Sequence, residues 1–142
     1  VRFGDPEVQA ILPLLQDELV PLMDHVVEGR LSNTQIRWKP GSCVCVVLAS
    51  GGYPGEYQIG KEIRGLEALK RRPNVLVFHA GTKQDHDRLV TWGGRVLNVI
   101  GTGEDLEGAL KHAYEAVGSI GFDHMQYRKD IGVRALKKSV IR

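Results

Sequence analysis

The sequence is short of several things, and each shortage closes off a class of protein. Only two of its 142 residues are cysteines, Cys43 and Cys45, so no disulfide framework can hold the chain together. A lone C-x-C also lacks the second ligand pair of a structural zinc site. If "SCVCVVLAS" is a strand, the two thiols share one face of one backbone segment and pair poorly, which makes them reduced core thiols. Aromatic residues make up 6% of the chain, and the formal net charge is only +2. Lysine and arginine are scattered apart from "KRR" at 70–72 and "KK" at 137–138. No basic stripe interleaved with aromatics offers itself to a nucleic acid. No apolar run approaches the roughly 20 residues that a membrane span needs, and no secretory signal is visible. The expectation is a soluble, cytoplasmic protein with no nucleic-acid and no membrane partner. An initiator methionine is lacking too: the chain opens on "VRFGDPE", which reads as the interior of a longer protein, cut at Val1.

What is present is an ordinary soluble composition, 42% hydrophobic and 25% charged, in a chain long enough for a real core. After Pro6, the residues Val8, Ile11, Leu12, Leu15, Leu19, Leu22, Met23, Val26 and Val27 recur at spacings of three and four. That pattern predicts one amphipathic helix burying one face. Asp5 stands where it can cap this helix, with Pro6 at the first helical position and Gly29 as the stop. The polar connection "RLSNTQIRWKPGS" places a boundary between residues 1–39 and 40–142.

Beyond it the period changes. "CVCVVLAS" and "NVLVFHAGT" read as strands, and "RLVTWGGRVLNVIGTG" as two more, broken by a turn or hairpin at Gly93 and Gly94. Thr102 and Asp105 fit a capping box, opening a helix with Leu106, Ala109, Leu110, Ala113 and Val117 on one face. Gly132 followed by "VRAL" suggests a last short strand. The expected fold class is α+β: a long helix attached to a small β-rich domain with one packed helix.

Eight of the 17 glycines cluster at 51–55, 59–65, 79–81 and 93–94. Tight turns of a small sheet would explain any one cluster, and "GGYPG" has no helix-opening nucleotide-cradle pattern. The polar residues beside the glycines say more. His79, Thr82 and Lys83 follow one strand and Arg95 follows the glycine pair. Lysine, arginine and free backbone N–H groups suit a phosphate monoester, which arginine can hold in bidentate fashion. A solvated lysine and a core histidine remain open for Lys83 and His79. No catalytic triad, H-E-x-x-H or paired-carboxylate spacing appears. The residues alone therefore lead to a domain with a glycine-lined anion site.

Taken in order, "VRFGDPE", "LASGGYPGEYQIGKEIRG", "FHAGT", "GGRVL" and "QYRKDIG" resemble the C-terminal third of the glycinamide ribonucleotide synthetases, also called phosphoribosylamine–glycine ligases. The resemblance runs from Val1 to about Leu136. It implies an ATP-grasp carbon–nitrogen ligase of purine synthesis that joins glycine to 5-phosphoribosylamine. ATP would phosphorylate the glycine carboxylate, and Mg²⁺ (or Mn²⁺) would neutralise phosphate charge. It further implies that residues 1–39 end the ATP-grasp domain and that 40–142 form the C-terminal domain. ATP and metal would be bound mainly by an N-terminal part not included here, with no metal ligand and no catalytic residue in this chain, which would be inactive alone. By resemblance Arg2, Gly4, Asp5 and Glu7 lie at the floor of the active site, and His79, Thr82, Lys83, Gly94 and Arg95 belong to the loops over the ribose 5-phosphate. The alternative of a different class is a free-standing binding module for a small phosphorylated metabolite.

Overall fold

The computed structural model describes residues 2–139, with side chains to 136; the expectation attached to Val1 lies outside them. The first apolar stretch forms two helices, not one. α1 spans Glu7–Ile11, a tight 3-10 turn spans Leu12–Leu14, and α2 spans Leu19–Val27. Pro13 is the cause. It has no N–H to donate, and its ring collides with the carbonyl four residues back, so the helix stops before it. Pro21 falls in the first turn of α2, where a missing N–H is harmless. The extended backbone at Leu15 then bridges Trp38, and Asp17 accepts hydrogen bonds from Arg37 N at 2.6 Å and Arg37 Nε at 2.7 Å. The segment carrying α2 is thus an excursion tied at its base. Gly29 ends it with a φ of +68°, as the sequence suggests.

The expected α+β architecture is what the remainder builds. β1 (Ser42–Ser50), β2 (Val75–His79), β5 (Arg95–Gly103) and β6 (Met125–Gln126) form an antiparallel sheet in the order β2-β5-β1-β6. β3 (Thr82–Asp85) and β4 (Arg88–Thr91) form a separate two-stranded hairpin, turned at His86 with a φ of +52°. The "NVLVFHAGT" run therefore divides between β2 and β3. Gly93 and Gly94 do not turn a hairpin: they carry the chain from one sheet into the other.

α3 (Leu106–Val117) lies across β5 and β1. Its cap differs from the capping box. Asp105 is itself the N-cap, its Oδ1 accepting from Gly108 N at 2.7 Å, while Thr102 sits in β5 and its hydroxyl donates to Asn74 O at 3.4 Å. The helix comes unusually close to the sheet because glycine and alanine meet there. A Cβ on Gly103 would stand 2.5 Å from Ala109 N, and one on Gly101 2.5 Å from Ala113 N. Val44, Val46, Leu48, Leu97 and Val99 fill the space around this contact with Ala109, Ala113, Ala116 and Val117. Each buried Val or Leu contributes about 1.5–3 kcal/mol.

The tail "VRAL" is helical, not a strand. α4 (Val133–Ser139) starts after Gly132, whose φ is +79°, and Leu136 packs against the core. The expected core thiols prove half-buried and unpaired. Burial raises the Cys43 thiol, and burial, then Cys43 and Asp5, push the Cys45 thiol up to about 12, which favours the protonated form of both at neutral pH.

Candidate functional site

Arg95 opens β5 at a local irregularity. The register runs Leu48↔Leu97 and then Ala49↔Arg95, which leaves Val96 as an extra residue. Such a bulge bends a strand and re-aims its side chains. Arg95 meets Asp5, ninety positions away in sequence. Its Nη1 donates to Asp5 O at 3.0 Å and its Nη2 lies 3.2 Å from Asp5 Oδ2. Both side chains stay about 40% exposed, so this is a surface pair whose net energy is small. One guanidinium N–H, on Nη1, is hydrogen-bonded, and Nη2 adds an ion pair; no other hydrogen bond of the guanidinium is seen among the described residues.

This contact corrects the capping role expected of Asp5. α1 has no side-chain cap, and the residue before it is Pro6. The carboxylate is spent on side chains instead: Oδ1 accepts from Gln9 Nε2 at 3.0 Å while Oδ2 faces Arg95. Gly4 and Glu7 are neighbours in the same turn, where Gly4 O accepts from Val8 N at 3.1 Å and a Cβ on Gly4 would collide with the Glu7 carboxylate. Arg2 is exposed.

Around Arg95 the wall is backbone. Gly81 N and Ala80 N donate to Arg95 O and Val96 O at 2.8 and 3.0 Å, Ser50 N to Gly94 O at 2.8 Å, and Ser50 Oγ to Gly93 O at 2.9 Å. The free side of Gly94 is filled by the ring of Tyr53. His79 and Thr82 pair with each other, Nδ1 to Oγ1 at 3.0 Å. Lys83 sits over Trp92, its Nζ 4.0 Å from the ring centroid, a cation–π contact instead of an open charge. The structure thus joins Asp5, Gly94 and Arg95 in one place and pairs His79 with Thr82, while Lys83 is engaged by Trp92.

Gln9, Ser50, Tyr53 and Gln126, whose Nε2 donates to Tyr53 O at 2.7 Å, are the residues that sequence reasoning missed. Gln9 had a signal, standing one helical turn after Asp5. The other three are brought in only by the sheet. Two surface depressions of about 790 and 520 Å³ lie elsewhere, at the start of α3 and beside residues 51–58. Among the described residues no group of three or more His, Cys, Asp or Glu could hold a metal ion, so the donor set here does not fit Mg²⁺. No helix is long and apolar enough to cross a membrane among them.

A family model described as "Phosphoribosylglycinamide synthetase, C domain" matches residues 43–134. The chain belongs to that family. Phosphoribosylamine–glycine ligase of Synechocystis sp. is 48% identical over 95% of this chain and 32% of that protein. A trifunctional purine biosynthetic protein of Gallus gallus is also 48% identical, over 95% of this chain and 14% of that protein. A crystal structure of phosphoribosylamine–glycine ligase from Thermotoga maritima superposes with a TM-score of 0.71 at 35% identity, covering 92% of this chain and 31% of that one. This synthetase-family chain therefore spans about a third of the length of its single-function relatives.

Proposed function

We propose that the chain is the C-terminal part of a ligase that joins glycine to 5-phosphoribosylamine with ATP. In this reading residues 1–39 close the ATP-grasp portion and residues 40–142 are the C-terminal domain. The part of the enzyme beyond this chain is its partner, and it holds most of the ATP and magnesium contacts. We place the working enzyme in the cytoplasm.

The observation that carries the reading is the Asp5–Arg95 contact, which joins the "RFGDPE" turn to the "GGR" loop within a synthetase-family chain. Arg95 offers its remaining N–H groups to the ribose 5-phosphate, which a guanidinium can hold by two parallel hydrogen bonds. Asp5 beside it orients the amine that attacks the activated glycine carbonyl. The new bond is the amide C–N, and the leaving group is inorganic phosphate. Arg2, Gly4 and Glu7 complete the floor, and His79, Thr82 and Lys83 the rim.

The test is steady-state kinetics of the full-length enzyme from the same reading frame. Arg95→Ala should lose about 2–4 kcal/mol in kcat/KM for phosphoribosylamine, the cost of deleting a charge-assisted contact in a closed site. Lysine should restore only part, since it lacks the planar fork. KM for ATP should hold steady. Unchanged kcat/KM in the alanine variant, or equal losses for both substrates, refutes the phosphate role.

A further inference from the structure

Gly94 is buried, yet its φ is not left-handed. Conformational freedom therefore does not explain a glycine here. The explanation is space: a Cβ would fall within the ring of Tyr53, 2.5 Å from Cε2 and 3.0 Å from Cγ. The backbone that carries the ring is held on both sides of the residue, and the ring has a neighbour. Tyr53 N donates to Ser50 O at 3.1 Å, Tyr53 O accepts from Gln126 Nε2 at 2.7 Å, and the ring meets Tyr57 edge-on at 6.0 Å between centroids. Ser50 in turn holds the carbonyls of Gly93 and Gly94. The residue preceding Arg95 is thus gripped by Ser50 through hydrogen bonds and by Tyr53 through van der Waals contact.

We propose that Tyr53 is a positioning residue for Arg95. Its ring is the stop against which Gly94 rests, and that stop sets where the Arg95 backbone leaves the loop and where its guanidinium reaches. No hydrogen bond of the Tyr53 hydroxyl enters this role; the ring atoms alone perform it. The proposal rests on the reading of Arg95 as the phosphate ligand. It adds that substrate affinity is set one residue away, by a side chain that touches no substrate.

The experiment is a compensation test in the full-length ligase, reading kcat/KM for phosphoribosylamine and KM for ATP. Gly94→Ala should lower the former by about 5- to 100-fold, the rate equivalent of overpacking a tight site, and leave the latter unchanged. Adding Tyr53→Ala should recover a large part of that loss, because the new methyl enters the vacated space. Adding Tyr53→Phe should recover nothing, because the colliding atoms remain. If Gly94→Ala fails to fold, Tyr53→Ala alone carries the test: removal of the stop should lower kcat/KM for phosphoribosylamine with KM for ATP unchanged, and a normal kcat/KM overturns the role. The role is overturned by a Gly94→Ala enzyme of normal kcat/KM, by a Gly94→Ala/Tyr53→Ala enzyme no better than Gly94→Ala, or by recovery through Tyr53→Phe. Arg95→Ala separates the two levels. If it is impaired and compensation fails, only the Tyr53 role falls; if it is normal, the phosphate reading falls and takes the Tyr53 role with it.

Discussion

α2 and α3 carry comparable apolar faces and meet opposite fates. In α3 the residues Ala109, Ala113, Ala116 and Val117 are sealed against β1 and β5. In α2, Val20, Val26 and Val27 are 68%, 58% and 86% exposed, and no described residue before Val44 is buried. An apolar stripe therefore states a need for cover, and only a matching surface meets it. For α3 that surface is a sheet with glycine under the helix. For α2, the described residues supply the tie at its base and a hydrogen bond between His25 Nδ1 and Thr34 Oγ1 at 2.8 Å, and no sheet. In the ligase reading, the rest of the enzyme supplies the cover.

The contrast can be broken most directly at Leu48, fully buried under α3. Leu48→Ala should cost about 2–5 kcal/mol in denaturant unfolding of this chain; a loss below 1 kcal/mol would mean that the sheet and α3 are no better packed than α2. Next comes the cap. Asp105→Ala should cost about 0.5–2 kcal/mol, seen as faster amide exchange in the first turn of α3, whereas α2, which lacks a side-chain cap, offers no equivalent loss.

A smaller effect comes from acid at the base of the α2 excursion. Hydrogen bonds from the Arg37 backbone and then its side chain hold the Asp17 carboxyl below its ordinary value of 3.8. The folded form then binds fewer protons than the unfolded one, so the tie is complete above that value and is lost as pH falls through the lowered one. Amide exchange at Arg37 should accelerate there relative to the β1–β5 ladder, and equal acceleration in both would erase the distinction. The smallest effect is Val27→Ala, expected to stay within about 0.5 kcal/mol in this chain; in the full-length enzyme a larger loss would identify the face as covered there.

The regular part of the fold was legible because its signals are local. β1, β5 and α3 follow from period and burial alone. The break at Pro13 is written in the sequence too, although nine apolar residues at helical spacing run across it. β6 has two residues and is a strand only because Ala49 and Ser50 pair with it, a fact no short window contains. The tail failed for a related reason: "VRAL" suits strand or helix, and the left-handed Gly132 with Leu136 on the core decides. At the site, Arg95 stands out beside its glycine pair and Asp5 before Pro6. Their meeting was not readable, because it depends on a one-residue slip in the β1–β5 register.

The glycine track beneath α3 has a mechanical consequence. Where side chains separate a helix from a sheet, rotamer changes let the layers slide; where backbone touches backbone at Gly101 and Gly103, there is nothing to rotate out of the way. α3, β1 and β5 therefore move as one rigid plate.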